Sequence, residues 1–488
     1  MSLSTALSNA LSGLQANTLE AELIANNVAN ASTPGYTRRA AELSAVSVGG
    51  DGAGVQVSAV QLVQDNVAIS NRRRSDAELG LQFTALAPLQ TLGAEFGVPG
   101  DGTALADKAA AFENALASAA SDPASEPRLS NVVNAAGNYA NEINALSTET
   151  QHLRMEADRE IGRQVDQVNT NLSTIELLNR EIKIVSQSGG DASALVDERK
   201  ALIDEISSIL PIRTSQRDDG QVSVFTENGT QLVDPVAVTI TFTPTTTITQ
   251  DMTQASGALS GLSIDGRSLS VGSQDGSGMA DGGSLGQLFL NRDTVLPEVA
   301  DQLDLLAEDL VNRFQDPGID GTRALGDPGL ITDDGGAYDT ADLEGLAGRI
   351  SVNALVDPTQ GGETYRLRDG LGATAPGVSG NSVLLEDLLG AATSDLTPAA
   401  GSGFSVSGGV ADFAAGLTAA VTTRQLQAES SVTFAAASNQ AYLSSELGVS
   451  GVNTDAQLQR LLQVEQAYSA NALVMSTIND LYQRLLEI

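Results

Sequence analysis

NNVANASTPGYTRR, residues Asn26 to Arg39, ends the first apolar run of the chain, and ends it oddly. Asparagines gather where a helix should still be running; Pro34-Gly35 then stops it, and Tyr36 begins an extended segment. Upstream, the only charged side chains before Arg38 are Glu20 and Glu22. An ordinary amphipathic helix packed on its own domain turns charged residues to water. Here the face opposite the apolar stripe is Ala, Ser, Asn and Gln, which reads as a surface to be covered by other subunits.

The stripe itself is regular. Leu3, Leu7, Ala10, Leu14, Asn17, Ala21, Ile24 and Val28 step by four and three, the spacing of a coiled-coil seam, interrupted once at Asn17. Near the other end Leu461, Val464, Tyr468, Asn471, Met475, Ile478, Tyr482 and Leu485 repeat the pattern, interrupted once at Asn471. A chain that leaves through one helix and returns through the other should pair them antiparallel. Setting Leu3 against Leu485 aligns Leu14 with Val474 and Asn17 with Asn471; allowing facing residues an offset of a few positions, the two amides are expected at similar height and hydrogen-bonded directly or through water.

Composition narrows the class. The 488 residues suffice for several domains. Aromatic residues are 3% of the chain, with no Trp and one His, so the core must be built from Leu, Ile, Val and Ala. A net charge of −35 repels nucleic acid and anionic membranes, and neither is an expected partner. Cysteine is absent, which removes disulfides, thiolate metal sites and Cys nucleophiles. The first basic residue is Arg38, so no basic n-region of a secretory signal is visible, and no run approaches the roughly 18 apolar residues of a membrane span. Any export is expected to proceed without a cleaved signal.

Between the ends, helical spacing recurs over 60–90, over 103–120 up to Asp122-Pro123, from about Leu129 to Val185, over Ala194 to Leu210, after Pro297, and over roughly 409–445. Residues 212–290 differ: VSVF at 222–225, VAVTITF at 236–242 and LSIDG at 262–266 alternate or are β-branched, and turn dipeptides separate them. The expected fold class is α+β and multidomain. Residues 1–60 and 446–488 form a terminal coiled coil; 61–211, 291–315 and 381–445 form a helical bundle; 212–290 form a small inserted β domain. Residues 316–380, dense in Gly, Asp and Pro, read as a loop or reduced outer appendage with strand-like pieces at Arg349 to Val352 and Thr364 to Leu367.

Chemistry finds no foothold. His152, in QHLRMEADRE, has neither a second His nor a Cys to work with. DPGIDGTRALGDPG, at 316–329, lacks the alternation and closing Glu of a calcium loop. No phosphate loop, dinucleotide fingerprint or nucleophile elbow is present, and GVSGNS at 377–382 fits no catalytic pattern. No catalytic residue, metal ligand or cofactor is expected, and an acidic secreted adhesin or enzyme is the rival of another class.

The opening stretch then finds its context. ALSGLQANTLEAELIANNVANASTPGYTRR, Ala10 to Arg39, resembles the N-terminal signature of bacterial flagellar axial proteins, the family of rod, hook and hook-associated proteins. Its matching positions are Asn26, Asn27, Ala29, Asn30, Thr33, Pro34, Gly35 and Tyr36, and the TPGYTR ending is most similar to the hook-associated branch. SGVNTDAQLQRLLQVEQAYSANALVMSTINDLYQRLL is similar to the family's C-terminal pattern, with Ala456 and Gln457 in place of its usual acidic pair. Inside, LVDERKALIDEISSIL and DDGQVSVFTENGTQLV also match. The resemblance implies a structural protein that self-assembles into a tubular layer between hook and filament. Its implied partners are copies of itself, hook protein, a second junction protein and a cytoplasmic chaperone on the C-terminal helix. It also implies export unfolded through the flagellar type III apparatus; a hook or distal-rod protein is the alternative within the family.

Overall fold

A computed structural model of the protein describes residues 3–48, 51–217, 219–271, 282–396 and 407–486. Helix α1 (Leu3–Ala29) stops where the sequence says it should. Tyr36 N–H donates to Thr33 C=O at 3.2 Å, and Gly35 has φ 78°. Pro34 and Gly35 are thus the two central residues of a tight turn whose second position only glycine adopts without strain. The chain leaves that turn into an antiparallel hairpin, β1 (Arg39–Val48) and β2 (Asp51–Leu62), with Arg39 opposite Leu62. The sequence reading placed only an extended start here. The hairpin lies on α1: Val55 N–H donates to Ser12 Oγ at 3.2 Å. At Gly54, with φ 104°, a Cβ would come within 2.2 Å of that oxygen.

The remaining helices are α2 (Asn66–Phe96), α3 (Leu105–Ser121), α4 (Glu126–Gln187), α5 (Ser193–Ile209), α6 (Gly283–Leu290), α7 (Leu296–Gln315), α8 (Arg366–Asp369), α9 (Val383–Thr393), α10 (Val410–Ser450) and α11 (Thr454–Leu486). The fold is mainly helical with small antiparallel sheets, as the α+β reading expected. The chain divides into two compact units, one of Met1–Gly80, Asp166–Thr239 and Phe434–Ile488, the other of Leu81–Val165 and Ile240–Thr433.

The first unit holds α1, α11, the β1–β2 hairpin, α5 and a sheet of β3 (Ile212–Gln216), β4 (Val222–Thr226) and β5 (Gln231–Val233) in that order. The last part of α4 packs Val168, Leu172, Ile175 and Ile182 inward, and Asn179 ties it to the sheet through Val222 N–H and C=O. Arg72 on α2 reaches Asp76, Asp204 on α5 and Glu446 on α10, so three helices meet on one guanidinium.

The second unit carries the larger core. Its α7 buries Leu296, Val299, Leu303, Leu306, Leu310 and Phe314, the three-and-four spacing of one helical face, against Phe112 of α3, Tyr139 of α4 and Leu417 of α10. Pro88, inside α2, has no N–H for the carbonyl of Thr84, which accepts instead from Asn291 Nδ2 at 2.8 Å. Strands β6 (Ile240–Thr241), β7 (Leu262–Ile264) and β8 (Arg267–Leu269) form a second three-stranded sheet. The buried Arg292 holds this part of the chain through Asp158 and the carbonyl of Ser260.

Two readings of the middle need correcting. Residues 212–290 do not make one β domain: the sheets fall in separate units, most of VAVTITF is irregular, and 283–290 is helix α6; residues 272–281 lie outside the described set. β-Branched spacing marks strand propensity, not which sheet a strand joins. Residues 316–380 are no appendage, because Leu330, Ile331, Leu346, Ala347, Ile350, Val356 and Leu367 are buried in the second unit's core. Short carboxylate staples replace regular elements there. Asp304 accepts from Gly345 and Ala347 N–H at 2.8 Å, and Asp320 accepts from Leu371 N–H at 2.8 Å. Ile350–Val352 is a strand, β10, paired with β9 (Ile331–Asp333), but Thr364 to Leu367 turns into helix α8.

Candidate assembly surface

The terminal helices do pair, and antiparallel. Asn27 meets Gln457, Glu20 meets Arg460 at 2.7 Å, and Gly13 meets Asn471, so position rises along α1 as it falls along α11. The register differs from the expected one by a single turn. Asn471 faces Gly13 rather than Asn17; a Cβ at position 13 would lie 2.7 Å from Asn471 Nδ2. The amide therefore fills the notch that a residue without side chain leaves in α1, and this close approach, not amide pairing, sets the height. No bond joins Asn17 to Asn471, and Asn17 Nδ2 is buried with no partner among the described residues.

The lock of the pair is Asn27, 1% exposed. Its Oδ1 accepts from Tyr36 Oη and from Arg39 N–H, both at 2.9 Å. Its Nδ2 donates to Arg39 C=O at 2.8 Å and to Gln457 Oε1 at 3.2 Å. All four hydrogen-bonding positions of the amide are used. One side chain thus fixes the end of α1, the start of β1 and the first turn of α11. The Arg39 guanidinium lies 5.2 Å from the Tyr36 ring centre and 3.5 Å from Asp197. Burial, only partly offset by Arg39, raises the Tyr36 phenol above its ordinary value. Arg38 N–H donates to Ser450 C=O at 2.9 Å, which fastens the exit from α1 to the end of α10. Asn26, Thr33, Pro34 and Gly35 stand at the exposed surface of the turn, as does Ala29, and Asn30 is half-buried.

The seam residues divide. On α1, Ala10, Leu14 and Ile24 are buried, while Leu3, Leu7, Asn17, Ala21 and Val28 are half-buried; Ala16 and Leu23, off the expected stripe, are buried too. On α11, Val464 and Ile478 are buried and Leu461, Asn471 and Met475 half-buried. Tyr468, Tyr482 and Leu485 face water, as do Leu458, Leu462, Leu473 and Leu481. A single antiparallel contact covers one narrow strip of α11, so the rest of its apolar surface remains open. Gln457 was visible in sequence only as a departure from an acidic pair; that it closes the Asn27 lock depends on a contact 430 positions away.

Among the described residues no group of three or more His, Asp or Glu side chains could hold a metal ion, and no helix is long and apolar enough to cross a membrane.

Comparison with known proteins gives these ends and the middle a context. Residues 98–330 match the flagellar hook-associated protein FlgK helical domain, residues 7–37 the flagella basal body rod protein family, and residues 444–488 the flagellar basal body rod FlgEFG protein C-terminal family. Flagellar hook-associated protein 1 of Bacillus subtilis is 24% identical over 359 residues, 68% of this chain and 71% of the relative. That of Salmonella typhimurium is 27% identical over 358 residues, 67% of this chain and 59% of the relative. That of Escherichia coli is 28% identical over 248 residues, 47% of this chain and 43% of the relative. A solved structure of the flagellar hook junction protein FlgK from Burkholderia pseudomallei aligns with a TM-score of 0.41 at 20% identity, over 55% of this chain and 47% of that one.

Proposed function

We infer that this chain, a structural component of the bacterial flagellum similar to hook-associated protein 1, assembles through its paired terminal helices into the layer between hook and filament. The observation that carries the reading is the open apolar surface of α11. Leu458, Leu462, Tyr468, Leu473, Leu481 and Leu485 stand in water on one helix of an acidic chain, and such a surface marks a contact with other molecules. Neighbouring copies cover it by extending the α1–α11 pair into a coiled-coil tube. Before export a cytoplasmic chaperone covers the same surface of α11, and the chain passes unfolded through the type III apparatus. Hook protein lies on one side of the layer, and a second junction protein with the filament beyond lies on the other. The work is mechanical and involves no turnover.

Deleting the gene tests this. The expected cell has intact hooks, no filaments, and flagellin shed into the medium. Loss of the hook itself would move the protein to the distal rod or hook, and normal filaments would overturn the reading.

A further inference from the structure

In the first unit a cleft of about 410 Å³ opens between the first turns of α2, one face of α5 and strand β3. Arg73, Arg199, Lys200 and Arg213 contribute to its lining, and no Asp or Glu does. The chain as a whole carries 61 acidic and 26 basic residues, so a wall of four cations without an acid runs against its composition. Arg213 is exposed on β3, and two of the other cations are neutralised from behind. Arg73 and Lys200 share Asp204 at 2.7 and 3.2 Å, and Lys200 also reaches Glu446 at 2.8 Å.

Arg199 is not. It is 5% exposed, and no carboxylate among the described residues lies within ion-pair distance. Its described hydrogen bonds both leave from Nη1, to Asn179 Oδ1 at 2.7 Å and to Gly220 C=O at 2.8 Å, and both acceptors are neutral. Burial, then the neighbouring Arg73, pull its pKa down to about 10. A buried guanidinium with no counter-charge is costly, and a neutral amide would hold Asn179 and Gly220 as well. What the neutral amide could not do is receive an anion from the cleft.

We propose that this cleft binds a small oxyanion, of phosphate or carboxylate type, with Arg199 as its principal ligand and Arg73 and Lys200 beside it. Ser70, Asn66 and Gln216 line the cleft as neutral hydrogen-bonding groups. The oxyanion has two possible sources, a free ion or the carboxylate of an acidic side chain on another molecule. This site is independent of the flagellar role, which stands whether or not the cleft is occupied.

The test is calorimetric titration of the full chain with inorganic phosphate and, separately, with glutarate, at ionic strength held constant with chloride. One saturable site is expected, with affinity at least about tenfold weaker in Arg199→Gln, because charge-assisted hydrogen bonds are lost. Since a buried substitution can compromise folding, Ser70→Glu provides the second arm. Ser70 is exposed on α2, and a carboxylate there would satisfy the cleft from within; binding should vanish while the melting temperature holds or rises. Saturation by phosphate alone would identify a free ion as occupant, and saturation by glutarate alone an acidic side chain. No saturable binding of either, or equal binding in Ser70→Glu, would overturn the proposal.

Discussion

Asn27 and Gln457 stand 430 positions apart in sequence and 3.2 Å apart in space, Nδ2 of the first donating to Oε1 of the second. The bond is one of four around the Asn27 amide, and the other three close on Tyr36 and Arg39. Asn27→Ala therefore strands a part-buried N–H and C=O of Arg39 and should destabilise the terminal region by about 2 kcal/mol. Asn27→Asp keeps the acceptors and loses both donors, so it should cost a comparable amount. Gln457→Ala breaks only the last bond and should cost about 1 kcal/mol. Urea melts read by the circular dichroism of the helices check the order; a Gln457 variant as damaging as the Asn27 ones would show that the lock does not centre on Asn27.

The cluster of Arg72, Arg73, Lys200 and Asp204 predicts a pH dependence. Burial alone would raise the Asp204 carboxyl, but Arg73, Lys200 and Arg72 outweigh it and hold it below the ordinary carboxylate value. A carboxyl depressed in the folded state stabilises fully above its unfolded pKa, and that contribution is lost as the pH falls through the folded one. Asp204→Asn should therefore cost about 2 kcal/mol at neutral pH. The gap to the parent protein should close below about pH 4. Asp76 works in the opposite direction, since burial raises it against the pull of Arg72, so acid should restore part of what Asp204 loses. Denaturant midpoints of both proteins from pH 7 to pH 3 measure the closing gap; a constant difference would rule this linkage out.

How much of this was legible depends on what holds each part. Helices α4 and α7 announce themselves because Leu172, Ile175, Leu303 and Leu310 recur on one face and are buried on it. The β1–β2 hairpin shows its period only in fragments, Val55 with Val57 and Val60 with Leu62, on either side of a register shift. Its strands mix Val and Leu with Ala, Ser and Gln, register shifts break their alternation, and the backbone approach of Gly54 to Ser12 that places it on α1 depends on a missing side chain. The stretch around Leu346 and Ile350 is held by Asp304 and similar staples between distant residues, so Gly and Asp content suggested a loop where there is core. At the terminal pair the stripe includes Leu14 and Ile24, which are buried. It could not show that Gly13 accepts Asn471, because that depends on a missing side chain rather than on one present.

The terminal pair should also be the least protected part of the isolated chain. Its large buried aliphatics are few: Leu14, Leu23 and Ile24 on one helix, Val464 and Ile478 on the other. Ordering each residue costs about 1–2 kcal/mol of backbone entropy, and helices gain most of their stability from packing. Amides of Leu3 to Val28 and Leu458 to Leu486 are expected to exchange with deuterium well before those of α7, and to become protected in the assembled state. Equal protection of α1 and α7 in a verified monomer would show that the pair needs no neighbours.

The strongest separation between folding and assembly comes from two residues of the same helix. Leu473 is 68% exposed on α11, whereas Ile478, about 1.4 turns further on, is 5% exposed against the rest of the first unit. Leu473→Asp places a charge in water and removes little buried surface within the chain, so monomer stability should change by no more than about 0.5 kcal/mol. In the assembly the same carboxylate would be buried without a partner, and polymerisation should fail. Ile478→Asp must bury its charge already in the monomer and should strip helicity from the terminal pair before assembly is attempted. Circular dichroism of the two monomers, followed by sedimentation under polymerising conditions, reads both effects. If Leu473→Asp polymerises normally, the open face of α11 is not the assembly surface, and subunits must meet through another part of the molecule.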